Sequence, residues 1–172
     1  MRQHVLILIN NSFSMESCRG KVLCGLNYFL ENLAQKNTLG FLTMSVAVFD
    51  KDLTYLCGGI PPVKLGYWSD NTNSNYKYSH LYDSVCSIIS DWVHEKDVQH
   101  HLYILSDETD NGSHVWNYEQ MITMCESATR DHGWKITFCG SSAEKIRSSA
   151  VNVKPLTAEC ITEMLENLNI SK

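Results

Sequence analysis

The chain opens with Val5-Leu6-Ile7-Leu8-Ile9, an unbroken apolar run that stops at Asn10-Asn11-Ser12. A strand with one wet face alternates apolar and polar residues. A run without alternation suits a strand covered on both faces, as in a parallel sheet. Such a sheet needs helices on each side, and the following sequence supplies them. Val22, Leu23, Leu26, Phe29, Leu30 and Leu33 make one helical stripe. Residues 42–49 and 53–57 read as strands, and Asp50-Lys51-Asp52 between them predicts a tight hairpin.

Residues 58–79, rich in Gly, Pro, Asn, Ser and Tyr, read as a long loop. A helix follows, with Leu81, Val85, Ile88, Ile89 and Trp92 on its apolar side, and then a strand over 101–105. Asn117 and Gln120 form a capping box. It opens a helix carrying Met121, Ile122, Met124, Cys125 and Ala128, which Gly133 is expected to end. Residues 134–139 read as a strand and 143–148 as a short helix. A final helix from Thr157 is expected to bury Ile161, Met164, Leu165 and Leu168. Alternating strands and helices with one early hairpin predict a doubly wound α/β domain. Its sheet is mainly parallel, with an antiparallel edge strand and helices on both faces. At 172 residues the chain suits one domain, 1–172, with one core.

Fourteen Lys plus Arg against 19 Asp plus Glu give a net charge of −5, with no basic run to neutralise phosphates. Nucleic acid and anionic membranes are therefore disfavoured as partners. No 18-residue apolar stretch exists to insert in a bilayer. The apolar run at 5–9 is too short for a signal peptide. The seven cysteines are scattered and form no Cys-x-x-Cys pair, which argues against a disulfide framework and against a zinc site. A reducing, cytoplasmic setting is expected, in which the Asn-x-Ser triplets at 10–12, 111–113 and 169–171 carry no glycan.

In doubly wound folds ligands bind beyond the carboxyl ends of the strands, where the strand order reverses. Asn10-Asn11-Ser12-Phe13-Ser14 follows the first strand, and Ser106-Asp107-Glu108-Thr109-Asp110 follows the strand at 101–105. Ser79 stands just before a helix. Hydroxyl and carboxylate oxygens are the hard donors that Mg²⁺ prefers. This pattern resembles the von Willebrand factor type A (VWA) family. Its metal-ion-dependent adhesion site (MIDAS) has Asp-x-Ser-x-Ser after the first strand, a Thr before a Leu-x-Asp helix, and an Asp after the fourth strand. Asn10, Ser12 and Ser14 match the first motif, Ser79 the Thr and Asp107 the last Asp. Leu26-Asn27-Tyr28-Phe29-Leu30, Phe49-Asp50 and Gly133-Trp134-Lys135-Ile136-Thr137-Phe138 resemble small stand-alone members. The resemblance covers nearly the whole chain and implies a six-stranded, Rossmann-like sheet.

The resemblance implies that the two serines touch a metal directly, that carboxylates act through water, and that a ligand carboxylate completes the shell. Asn10 replaces the first Asp and removes a negative charge. Ser79 keeps the hydroxyl of the Thr, and Glu108 stands where a Gly is common. The expectation is an assembled site with weakened Mg²⁺ affinity. Against it, Ser12, Ser14 and Ser79 can serve as turn or cap residues, and Asp107 can close an Asx-turn. Tyr67, Trp68, Tyr76 and Tyr78 in the long loop are candidate docking anchors, with packing of the loop onto the sheet edge, through Trp68 above all, as the alternative. Asp107-Glu108-Thr109-Asp110 is a second cation candidate or a solvated turn. His100 and His101 read as strand entry, and His80, His94, His114 and His132 as surface or loop residues.

The function expected is a protein-binding module whose partner presents a carboxylate. A metal-free scaffold or structural subunit is the alternative. A Mg²⁺-dependent hydrolase ranks below both. Such an enzyme wants clustered carboxylates at the strand ends, and no nucleophile elbow, phosphate loop or Gly-x-Gly-x-x-Gly is present.

Overall fold

The computed structural model describes residues 1–36, 40–66, 76–107, 110–140, 145, 146, 148–157, 161, 163 and 168. The strands are β1 (Arg2–Asn10), β2 (Leu42–Phe49), β3 (Leu53–Ile60), β4 (Val98–Leu105), β5 (Lys135–Cys139) and β6 (Val151–Lys154). The helices are α1 (Arg19–Lys36), α2 (Leu81–Trp92) and α3 (Tyr118–His132). The sheet runs β3-β2-β1-β4-β5-β6, with β3 antiparallel to β2 and every other neighbouring pair parallel.

The apolar run behaves as a doubly covered strand must. Val5, Ile7 and Ile9 pack beneath α1 with Val22, Leu26, Phe29 and Leu33. Leu6 and Leu8 turn the other way, to α2 and α3, and meet Leu81, Val85, Ile88, Met121 and Cys125. Ile161 and Leu168, from the predicted final helix, are buried on the α1 side. Met164 and Leu165 lie outside the described residues, as do Cys160 and residues 143, 144 and 147 of the short helix expected at 143–148.

Caps set the ends of α3. The Asn117 side chain accepts from Gln120 N at 2.9 Å, while Gln120 Oε1 accepts from Asn117 N at 2.9 Å. Gly133 then takes the left-handed conformation at φ 68° that only glycine adopts without strain. The hairpin between β2 and β3 forms as expected.

Three features depart from expectation. Residues 58–60 of the expected loop belong to β3, and Pro62–Lys64 form a 3-10 turn. No sequence signal located β6, whose Val151-Asn152-Val153-Lys154 is too short and mixed to stand out; parallel pairing with β5 defines it. And β4 starts at Val98, so His100 and His101 are not strand entry. Both lie within the strand and are 1% exposed. His100 stacks on Trp134, with ring centroids 4.5 Å apart, and faces His4 across the β1–β4 pair. Propensity places a polar pair at a strand start, but aromatic packing outweighs it here.

Of the seven cysteines, Cys86, Cys125 and Cys139 are buried and Cys18 and Cys57 partly so, as small hydrophobes, while Cys24 is exposed. Among the described residues no helix is long and apolar enough to cross a membrane.

Candidate functional site

From β1 the chain runs outward to β2 and β3, then returns across the sheet to β4 on the other side of β1. The order therefore reverses between β1 and β4, and a crevice opens beyond their carboxyl ends. In register, Ile9 pairs with Leu105 and Asn10 with Phe49, so Asn10 and Ser106 emerge side by side.

Three further segments are tied to this end. Asn11 N donates to Phe49 O (2.7 Å), His80 N to Asp50 O (2.9 Å) and Phe13 N to Tyr76 O (2.9 Å). Ser79 and Asn111 exchange two bonds: Ser79 N donates to Asn111 Oδ1 at 2.6 Å, and Asn111 N to Ser79 O at 3.2 Å. The loop at 110–113 thereby closes over the start of α2, where Tyr82 N donates to Asp110 Oδ1 (3.2 Å) and Asp83 N to Ser113 Oγ (3.0 Å).

All five residues singled out from the sequence join one hydrogen-bonded cluster. Asn10 Oδ1 accepts from Ser12 N at 2.8 Å. Its amide nitrogen donates to Ser106 Oγ at 2.9 Å and, more loosely, to Ser79 Oγ at 3.5 Å. Ser12 Oγ and Ser14 Oγ are 2.9 Å apart, and Ser14 Oγ donates to Asp107 Oδ1 at 3.0 Å. Asn10, Ser12 and Ser79 are buried, whereas Ser14 and Asp107 are half-buried and form the mouth.

The serines are not acting as helix caps. Ser12 occupies the cap position of a 3-10 turn, Phe13–Ser17, without a side-chain cap bond, and Ser79 lies one residue before the His80 cap of α2. Beneath them sits the fully buried Met15, whose sulfur accepts from Asp107 N at 3.3 Å. Burial first, and the Asp107 carboxylate second, push the Cys18 thiol above its ordinary pKa.

The spacing suits a hard cation. Octahedral Mg²⁺ holds its oxygens at about 2.0–2.1 Å, which puts adjacent ligands roughly 3.0 Å apart. Ser12 Oγ, Ser14 Oγ and Asp107 Oδ1 already stand at such edges, 2.9 and 3.0 Å. Charge is the weak point. Among the described residues of the cluster, Asp107 brings the one formal negative charge, and Asn10 presents N–H groups where the family motif has a carboxylate.

Ser106, fully buried and bonded to Asn10, is a member that sequence reasoning quoted but did not assign. A polar residue at a buried strand end, next to the assigned Asp107, was the available signal. Tyr76 and Tyr78 are exposed, with rings 5.9 Å apart, and border the site through the Tyr76–Phe13 bond. Tyr67, Trp68, Glu108 and Thr109 lie outside the described residues. Asp110 is engaged in capping α2, as a turn residue would be.

Comparison of the sequence with family models and with curated proteins gives no match. Solved structures do match. Proximal thread matrix protein 1 from the mussel byssus, with a zinc-occupied MIDAS motif, superposes with a TM-score of 0.66 at 15% identity. That match covers 98% of this chain and 45% of that one. The ArnB paralog VWA2 from Sulfolobus acidocaldarius gives 0.63 at 12% identity, over 95% of this chain and 44% of that one. The chain thus spans less than half the length of these structures. At such identities the likeness is one of fold: the chain has the fold of VWA domains, in a small form.

Proposed function

We propose that this chain is a protein-binding module, rather than an enzyme, that docks its partner at the carboxyl end of the sheet around Asn10, Ser12, Ser14, Ser79 and Asp107. The observation that carries the reading is the cluster itself: three separate segments deliver their polar side chains to one spot at the switch point. The mussel protein with a zinc-occupied MIDAS supports it by analogy of fold.

Ser12, Ser14, Ser79 and Asp107 would hold a divalent cation, with Mg²⁺ the natural choice for hydroxyl and carboxylate donors. A bound cation supplies an electrophilic vertex for a partner's carboxylate. The residues themselves fix the loops and shield the pocket. With one carboxylate in place of the usual two, affinity for the ion is weak until a partner adds its own.

The orientation of Asn10 favours a second reading, a metal-free scaffold. Its amide supplies the hydrogen bonds that hold the crevice together without an ion. Calorimetry with Mg²⁺ and Mn²⁺ on wild type and Asp107→Ala separates the two. Heat in the wild type that vanishes in the variant supports the metal-assisted module. Absence of heat in both favours the scaffold.

A further inference from the structure

Beside the serine cluster, His80, Asp83 and His114 bring two imidazoles and a carboxylate together, one ligand atom from each lying within 4.8 Å of the others. His80 precedes α2, Asp83 sits in its first turn, and His114 comes from the loop after β4. The Asp83 carboxylate accepts from His114 N (3.1 Å), Val115 N (3.2 Å) and Trp116 N (2.8 Å). Those bonds pin the loop to α2 and fix the direction of the carboxylate. His114 Nδ1 stands 3.7 Å from Asp83 Oδ2, and the two imidazole rings meet edge to face at 5.2 Å. Gly112 lets the loop close on His80, since a methyl group there would run into the His80 ring. Core packing does not explain this arrangement, because the His114 side chain is 73% exposed.

We propose that His80, Asp83 and His114 form a second divalent-metal site, of the zinc type, separate from the serine cluster. Two imidazoles and one carboxylate are a zinc ligand set that leaves a fourth position for water or a partner's side chain. Imidazole donors suit zinc as hydroxyls suit magnesium. The three N–H groups holding Asp83 are the kind of outer partners that orient a metal-bound carboxylate. Tetrahedral zinc separates its ligand atoms by about 3.3 Å, so no pair here needs to close by more than roughly 1.5 Å. Small rotations of the His80 and His114 rings supply the movement, because the Asp83 carboxylate is already held by three backbone N–H groups. The expectation against zinc drawn from cysteine spacing does not touch this set, which sequence separation hides. A bound ion would clamp the start of α2 to the loop whose Asn111 holds Ser79.

The test titrates Zn²⁺ alone into wild type, His114→Ala and Asp107→Ala, with Co²⁺ absorption reporting nitrogen coordination. His114→Ala removes an exposed side chain and leaves the Asp83 bonds to the backbone, so melting in chelator should match wild type. A tenfold or greater loss of Zn²⁺ affinity in His114→Ala, with Asp107→Ala unchanged, is the expected result. His80→Ala should repeat the loss. Absence of Zn²⁺ binding in the wild type, or an unchanged affinity in His114→Ala, overturns the proposal. Loss in Asp107→Ala as large as in His114→Ala overturns it too, because the ion would then belong to the serine cluster. Failure of Mg²⁺ to bind that cluster leaves the Zn²⁺ result readable by itself.

Discussion

The Asn10 amide nitrogen lies 2.9 Å from Ser106 Oγ, at the end of the side chain turned away from Ser12. The opposite end accepts from the Ser12 backbone N–H, which only an oxygen can do. The amide therefore turns its donors toward the hydroxyls of Ser106 and Ser79. Where the family motif places a second carboxylate, this chain places N–H groups that bind the crevice together and repel a cation.

Asn10→Asp is the direct test of that substitution. The shapes match, and both hydroxyls can rotate to donate to the new oxygen. A carboxylate about 5 Å from a divalent ion contributes on the order of 2 kcal/mol even at the dielectric of water, so this buried position should gain at least roughly 30-fold in affinity. Without metal the added charge is buried beside Asp107, so the apo protein loses stability. We expect a lower Tm than wild type in chelator and a larger rise on adding Mg²⁺, read by thermal melting and calorimetry.

Ser14 bridges the loop after β1 to the loop after β4 through Ser12 and Asp107. Ser14→Ala should cost about 1 kcal/mol for a half-buried hydrogen bond. It should also abolish any Mg²⁺ heat. Urea denaturation measures the first effect and titration calorimetry the second. A variant that keeps full Mg²⁺ affinity would remove Ser14 from the ligand set.

Much of this was legible in the sequence because long regular signals coincide with packing. The run at 5–9, the stripes of α1 and α2, and the Asn117–Gln120 box each report a strong local preference. The serine cluster was legible through its placement after buried strands or before a helix, and through the resemblance to the adhesion-site motif. His100 and His101 were misplaced because their environment comes from Trp134 and β1, which are distant in sequence. His80, Asp83 and His114 were hidden for the same reason: His114 meets the other two only once the loop folds onto α2.

The buried histidines predict acid sensitivity. Burial lowers His4 to about 3 and His100 and His101 to about 4, from an ordinary 6.5. His100 adds repulsion to His4, His132 to His100, and Lys135 then His100 to His101. The folded protein keeps these rings neutral while the unfolded chain takes up protons below its ordinary value. Stability is therefore full above about pH 6.5 and falls as pH drops toward 4, by up to about 1.4 kcal/mol per pH unit for each ring. Neither ring nitrogen of His101 has a hydrogen-bond partner among the described residues. His101→Leu should then flatten the slope. Urea midpoints between about pH 7 and pH 5 measure it, and a parallel loss in both proteins would exclude His101 as a contributor.

Gly140 offers a test of how the sheet supports the site. It follows β5 and donates its N–H to Lys154 O at 3.0 Å, which holds β6 in place. A methyl group at this position would run into the Ser106 carbonyl oxygen and lie 2.5 Å from Phe138 Cε1. The first of these atoms is backbone and cannot swing away. Gly140→Ala must therefore push the end of β4 outward or tilt β5, at a cost of about 1–3 kcal/mol by overpacking. The displaced residue is Ser106, whose hydroxyl receives the Asn10 amide and whose neighbour is Asp107. The damage should thus exceed a loss of stability. Even under conditions where the variant remains folded, the link from Asn10 to β4 loosens and any Mg²⁺ affinity falls with it. Gly20→Ala is the control, since nothing lies within 4 Å of an added methyl group there and the residue sits in α1. Alanine at that first-turn position should leave stability unchanged or slightly raised. Thermal melting of both variants, followed by metal titration of whichever stays folded, measures the contrast. Equal stability of Gly140→Ala and wild type would mean that the ends of β4 and β5 are not packed as closely as the structure places them.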